Sequence, residues 1–225
     1  MEKNMPQPVE GTLRKFALRI PPIILQCSGI LVFGKRIKSL VFSTDLSIIR
    51  NCNADAIMAV YPFTPQSVIT QALLLAADIP VFAGVGGGLT QGPRGVHLAR
   101  YAEMQGATGV VVNAPTNIEV VKEIVKEVDI PVVATIANHN RDYIDKIGVG
   151  AKIINVSAAD QTPEVVRNIR ADFPNIPIIA TGGPTDESIE RTIEAGANAI
   201  TWTPPTPGEL FRVMMERYRE KIKGE

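Results

Sequence analysis

The chain has 225 residues, 45% of them hydrophobic and 20% charged, which is enough apolar material for a folded domain and excludes a disordered chain. Its 23 basic and 23 acidic residues cancel, and no basic block occurs, so we expect neither a nucleic-acid partner nor binding to an anionic membrane. The two cysteines, Cys27 and Cys52, are too few for a disulfide framework and lack metal-ligand spacing, which predicts a reduced, cytoplasmic setting and no metal site.

The first predicted element is an N-terminal extension over residues 1–38. An apolar run over 19–33 follows three basic residues, an arrangement that loosely resembles a signal peptide. Two prolines and a glycine interrupt the run, no cleavage site follows it, and it is too short to span a membrane. We therefore predict a hairpin-like plug that packs against residues 39–225, with the whole chain forming one domain.

Beyond residue 38, a short phrase recurs three times, as Asp-Ile-Pro-Val-Phe-Ala at 78–83, Asp-Ile-Pro-Val-Val-Ala at 129–134 and Asn-Ile-Pro-Ile-Ile-Ala at 175–180. A second phrase, which begins with alanine, falls between the copies. Each phrase opens an apolar run of strand length without alternation, which is typical of parallel strands buried on both faces. The predicted strands are 39–43, 56–61, 80–85, 109–113, 131–137, 152–157, 177–181 and 199–203. Eight such strands predict an α/β fold, a (β/α)8 TIM barrel with an N-terminal plug that closes its floor.

Helical patterns lie between the strands. Thr64 and Thr162 each precede a proline, a pair that suits a helix start. Thr116 followed by Glu119 matches a capping box. The predicted helices are 65–77, 94–105, 116–127, 162–172, 185–195 and 207–221.

The C-terminal ends of the strands form the mouth of such a barrel, where its active sites lie. Gly86, Gly87 and Gly88 follow the third strand, and their amides could face a ligand; they match neither a Walker loop nor the dinucleotide fingerprint. A mobile lid without ligand contact is the alternative for them. The predicted binding residues are Gly86, Gly87, Gly88, Asn113, Ser157, Thr181, Gly182, Gly183 and Thr203.

Ala180-Thr181-Gly182-Gly183 ends the seventh strand ahead of a helix, where glycine amides and a helix N-terminus favour an anion. Here the chain resembles the phosphate-binding TIM-barrel superfamily, which includes the tryptophan- and histidine-pathway barrels and the ribulose-phosphate epimerases. The resemblance implies a phosphate at this turn. The glycine-rich turn that the superfamily adds after strand eight is Thr203-Pro204-Pro205 here, and its prolines supply no N–H. A turn needed only for packing is the alternative. The segment around Gly86–Gly88 also resembles the dihydrodipicolinate synthase and N-acetylneuraminate lyase barrels.

Few ionisable residues lie at the predicted mouth. His139 follows strand five and is the candidate general acid or base, with Asp45 and Asp160 as assisting or rival carboxylates. Lys152 would suit a Schiff-base aldolase, but it begins its strand at the floor. Its parity is also opposite to that of Asn155 and Ser157, which we expect to point into the barrel.

These residues predict a metabolic enzyme that acts on a small, phosphorylated metabolite by acid–base chemistry, of the isomerase, lyase or hydrolase type. A catalytically inactive barrel that serves as a small-molecule binding or assembly protein is the alternative, since the mouth is poor in charge. We expect a small-molecule substrate as partner and no cofactor; a homo-oligomer is left open.

Overall fold

A computed structural model describes residues 4–7, 9, 11 and 18–223. Eight parallel strands close into a barrel in the order β10-β3-β4-β5-β6-β7-β8-β9, and helices alternate with them along the chain, so the fold is a TIM barrel of the α/β class. The barrel strands are β3 (Ser39–Phe42), β4 (Ala56–Ala59), β5 (Val81–Gly86), β6 (Gly109–Val112), β7 (Val132–Ile136), β8 (Ile153–Val156), β9 (Ile178–Thr181) and β10 (Ala199–Trp202). Every predicted strand is confirmed to within two residues at either end.

The helices lie outside the barrel and cover its strands, except for the last helix, in which residues 211–220 are all exposed. They are α1 (Leu46–Arg50), α2 (Ser67–Ala76), α3 (Pro93–Met104), α4 (Ile118–Glu127), α5 (Tyr143–Gly148), α6 (Thr162–Asp172), α7 (Asp186–Glu194) and α8 (Pro207–Lys223). Two of the predicted helix starts differ from the observed ones by two residues. Helix α2 begins at Ser67, not at Pro65. The cap of α4 is Asn117, not Thr116, because the Asn117 side chain accepts the N–H of Glu119.

The described part of the N-terminal extension contains a 3₁₀ turn, Pro22–Gln26, and an antiparallel hairpin of β1 (Ile30–Val32) and β2 (Lys35–Ile37). Ile30, Val32 and Ile37 are buried in one cluster with the residues that fill the barrel. The hairpin therefore closes the end of the barrel at which the strands begin. Of the predicted extension, residues 1–3, 8, 10 and 12–17 lie outside the described residues, and these include the basic Arg14 and Lys15.

The strand registers decide which side chains share a level inside the barrel. Between hydrogen-bonded neighbouring strands, Thr201 pairs with Leu40 and Thr135 pairs with Asn155. Strands in an eight-stranded barrel are staggered by about one residue each, so the four side chains of a level come from alternate strands. The registers give four levels, which from the floor upward are Ala56, Gly109, Ile153, Ala199; Leu40, Phe82, Val133, Ile179; Met58, Val111, Asn155, Thr201; and Phe42, Gly84, Thr135, Thr181. Above them, directly after the ends of four strands, come the rim residues Val60, Asn113, Ser157 and Thr203.

Candidate functional site

The two lower levels of the barrel are entirely apolar, whereas polar side chains enter at the third level, all of them from the β7–β10 side. We call Thr135, Asn155, Thr181 and Thr201 the inner polar cluster. The inner polar cluster occupies the third and fourth levels. At these levels the opposite side of the barrel, from β3 to β6, presents Phe42, Met58, Gly84 and Val111. The mouth thus has one polar wall and one apolar wall.

Two oxygens of the inner polar cluster have no hydrogen-bond partner among the described residues. The Asn155 side chain donates from Nδ2 to Thr135 Oγ1 at 3.3 Å, which leaves its Oδ1 unpaired. Thr201 Oγ1 is unpaired as well. Asn155 is 9% exposed and Thr201 6%. Buried polar atoms in folded proteins are nearly always paired with protein or water, so two unpaired oxygens on one level indicate a place for a bound molecule.

Exposure increases from this level toward the rim. Thr135 and Thr181 are half-buried, and Ser157 and Thr203 at the rim are exposed. Asn113, opposite them, is half-buried, and its backbone N–H donates to Gly86 O at 2.9 Å. The predicted binding residues Asn113, Ser157, Thr181 and Thr203 all lie at the C-terminal ends of barrel strands, above Asn155 and Thr201. We call the mouth of the barrel above Asn155 and Thr201 the funnel.

The glycine segment after β5 forms a closed turn. Gly87 and Thr90 exchange backbone hydrogen bonds of 3.0 and 3.2 Å, and Gln91 Nε2 donates to the carbonyl oxygens of Gly88 and Pro115. Gly87 has φ +125°, and a Cβ there would overlap that of Asn113. A side chain at Gly86 would press on the Thr90 carbonyl. These glycines let the turn approach Asn113 closely, so packing accounts for Gly86 and Gly87.

A cavity of about 20 Å³ lies beside this turn, between Val60, Gly84 and Asn113 on the apolar side of the mouth. It is large enough for roughly one water molecule. The absence of a side chain at Gly84 leaves this space open at the level of Thr135 and Thr181.

The turn predicted to bind phosphate has a second explanation in the structure. A Cβ on Gly182 would lie 2.7 Å from Ile189 and 2.9 Å from Ile200, and Gly183 has φ +85°. The N-terminus of α7 is closed by a capping box between Thr185 and Ser188. Asp186 and Glu187 occupy its first turn, and a backbone hydrogen bond lowers the pKa of the Glu187 carboxyl. Two carboxylates and a filled cap oppose an anion at this helix end.

The three predicted catalytic residues lie on three different segments, after β3, β7 and β8. Asp45 caps α1: its Oδ1 accepts the N–H groups of Ser47 and Ile48, and the Ser47 hydroxyl hydrogen bond is the main cause of its lowered pKa. Asp160 is exposed on the 3₁₀ turn Ala159–Gln161. The His139 side chain is 39% exposed on the loop after β7, with Nδ1 3.9 Å from Glu164 Oε1. The histidine therefore faces a carboxylate that the sequence did not suggest.

Lys146 is a buried cation near the mouth that was not predicted from the sequence. It is 3% exposed on α5, and its Nζ donates to the carbonyl oxygens of Ala114 at 2.9 Å and Thr135 at 3.0 Å. Asp142 Oδ2 lies 3.5 Å from the same Nζ. Burial lowers the pKa of Lys146, and Asp142 opposes that shift. Lys146 ties the loop after β6 to the end of β7 from outside the barrel. The aspartate four residues before Lys146 was a signal for the ion pair, although not for the burial of the lysine.

Lys152 lies where the parity argument placed it, exposed immediately before β8, while Asn155 is buried inside the barrel. Among the described residues, no group of three or more histidine, cysteine, aspartate or glutamate side chains could hold a metal ion. No helix in this part of the chain is both long and apolar enough to cross a membrane.

The sequence matches no known protein family and no curated protein. The fold is similar to that of many solved structures. Phosphoenolpyruvate phosphomutase from Streptomyces platensis subsp. rosaceus superposes with a TM-score of 0.62 at 12% identity, over 89% of this chain and 84% of that one. A phosphonopyruvate hydrolase solved with oxalate and Mg²⁺ superposes with a TM-score of 0.60 at 13% identity, over 82% of this chain and 80% of the hydrolase. An aldolase named QR15 superposes with a TM-score of 0.57 at 19% identity, over 73% of this chain and 88% of the aldolase. At these identities the similarity shows the TIM-barrel fold, and the role of each residue depends on the geometry of this chain.

Proposed function

We propose that the chain is a metabolic enzyme that binds a small polar metabolite in the mouth of the barrel and transforms it by acid–base chemistry. The observation that carries the proposal is the pair of buried, unpaired oxygens, Asn155 Oδ1 and Thr201 Oγ1, at the base of a polar funnel. The funnel opens at the C-terminal ends of the strands, which is where enzymes of this fold act. The solved structures of similar fold are named as a mutase, a hydrolase and an aldolase, which supports a reaction of the isomerase, lyase or hydrolase type.

His139 is the proton carrier in this proposal. Its imidazole is accessible at the rim, and Glu164 faces Nδ1, which leaves Nε2 free to exchange a proton with a bound molecule. The 3.9 Å separation is longer than a hydrogen bond, and we expect it to shorten when the metabolite binds. Asp160 stays a rival carboxylate, whereas the hydrogen bonds at Asp45 already commit its carboxylate to α1.

A phosphate on the metabolite is the finer part of the proposal. Its predicted site at Thr181, Gly182 and Gly183 stays a prediction, opposed by the filled cap of α7 and the carboxylates beside it. The proposal therefore requires only that the metabolite carries polar groups. If it also carries a phosphate, that group would remain at the rim.

The test is a comparison of turnover in a small-molecule extract followed by mass spectrometry. Wild-type protein should deplete at least one metabolite and produce another, and His139→Asn should slow that conversion by about 100- to 10,000-fold. His97→Asn is the matched control, because His97 lies exposed on α3 and we expect it to be silent. Equal rates for His139→Asn and wild type would remove His139 from the mechanism.

The same measurement addresses the second candidate, an inactive barrel that binds a small molecule. That candidate is favoured by one observation: over the described barrel strands, no inward-facing position carries an ionisable side chain. Retention of a molecule without any conversion would establish it and contradict the enzyme proposal.

A further inference from the structure

We propose that the inner polar cluster is a subsite for an uncharged, hydrogen-bonding end of the ligand, such as a hydroxyl or hydroxymethyl group, and that it excludes carboxylate and phosphate. The inference rests on the proposed function, because it concerns the same mouth. The uncharged end of the ligand would enter the mouth first, and charged groups of the ligand would stay at the rim.

The hydrogen-bonding pattern requires a donor. Asn155 donates one N–H of Nδ2 to Thr135 Oγ1, and its unpaired atom is the carbonyl oxygen Oδ1, which can only accept. Thr201 Oγ1 can donate or accept. A hydroxyl group satisfies both, since it donates to Asn155 and accepts from Thr201. An ionised carboxylate has only acceptor atoms and leaves Asn155 Oδ1 unpaired.

The charge distribution excludes an anion at the same place. The side chains around the inner polar cluster are threonine, serine, asparagine and apolar residues. Lys146, which is buried on this side, is engaged outside the barrel wall by two carbonyl oxygens and Asp142. A buried anion without a partner of opposite charge is strongly unfavourable, so a charged group would remain in water at the rim.

The walls set the shape of the group that fits. Phe42 and Val60 face the inner polar cluster across the mouth, and the small cavity beside Gly84 lies on their side. A group bound at the base of the mouth would meet polar side chains on one face and carbon on the other. A polyol chain inserted by one end suits this arrangement.

The test uses glycerol as the neutral probe and acetate and inorganic phosphate as anionic probes. Protein labelled with ¹⁵N in its asparagine side chains is titrated with each probe, and the amide signal of Asn155 is identified by its loss in Asn155→Leu. We expect a saturable shift of this signal with glycerol and none with acetate or phosphate. Thr201→Val should weaken the glycerol effect by about tenfold. Thr108→Val, an equally conservative change at the opposite end of the barrel, should leave it unchanged.

Three results would overturn the inference. An equal shift with acetate or phosphate would show that charge is accepted. An undiminished glycerol effect in Thr201→Val would show that the probe binds elsewhere. No saturable shift with glycerol would show that water alone occupies the cluster. Because the function test reads turnover in His139→Asn, a slow His139 variant combined with a silent Asn155 signal rejects the subsite and keeps the enzyme. The reverse combination keeps the subsite and rejects the role of the histidine.

Discussion

Lys146 shows how a single buried side chain can organise the mouth. A lysine ammonium buried in a protein interior is costly unless its hydrogen bonds are satisfied. Here two carbonyl oxygens and one carboxylate surround Nζ, and the carbonyls belong to the loop after β6 and to the end of the neighbouring strand β7. The loop that follows Asn113 is therefore held against the strand that carries Thr135. The position of the funnel wall depends on this lysine, although the side chain does not enter the funnel.

We predict that Lys146→Met destabilises the protein by about 3 kcal/mol, since it removes charged hydrogen bonds to two carbonyl oxygens and leaves Asp142 without its cation. Lys126→Met, an exposed change on α4, should stay within about 0.5 kcal/mol of wild type. Urea denaturation of both variants measures the difference. A Lys146 variant as stable as the Lys126 variant would show that the buried contacts contribute nothing net.

Residue roles could be predicted from the sequence where they depend on strand parity alone. The opposite parities of Lys152 and Asn155 followed from the alternation of side chains along a strand, and both residues lie on the expected sides. The burial of Lys146 depends on which backbone carbonyls converge beside α5, and no local pattern contains that information. The capping role of Asp45 was missed because α1 has only five residues and gives no periodic signal.

At the scale of elements, α7 and the turn before it illustrate how one motif can have two explanations. Glycines before a helix suggest an anion site, because glycine amides and a helix N-terminus attract negative charge. In this chain the same glycines allow Ile189 and Ile200 to pack against the end of β9, and the helix start is filled by its own side chains. Packing therefore explains Gly182 without a ligand.

We predict that Gly182→Ala destabilises the ligand-free protein by about 1–3 kcal/mol, because the added methyl group would press on Ile189 and Ile200. Gly148→Ala, at the end of α5, meets no atom within 4 Å and should be neutral or slightly stabilising. Thermal unfolding of the two proteins distinguishes these cases. If Gly182→Ala unfolds like wild type but loses phosphate binding, the anion-site interpretation is correct and the packing explanation is wrong.

Elements with a repeat or a long apolar period could be predicted closely, and short ones could not. The three copies of the Ile-Pro phrase located β5, β7 and β9 because buried parallel strands leave an uninterrupted apolar run. Helix α5, with six residues, has too few turns for a period and was not predicted. The cap of α4 was misplaced by one residue because Thr116 and Asn117 are both good caps, and only the backbone geometry selects between them.

At the scale of the whole molecule, the division of the mouth into a polar and an apolar wall follows from closure of the barrel. Asn155 and Thr201 are 46 positions apart in the sequence, and β9 lies between their strands. They share a level only because the stagger of the strands places alternate strands in phase. The sequence indicated that both strands exist, but the shared level requires the registers, which long-range packing determines. The sequence thus predicted which residues lie at the ends of the strands, but it did not predict that the polar ones share one side of the barrel.

The central claim is that the base of this funnel holds an uncharged group of a small metabolite. The most direct test is a crystal structure of the protein grown with the metabolite that its turnover assay identifies. We predict density for that molecule in the mouth, with a hydroxyl or other neutral donor within about 3 Å of Asn155 Oδ1 and Thr201 Oγ1. The claim is contradicted if water alone fills the funnel, or if the metabolite places a carboxylate or phosphate group against these two residues.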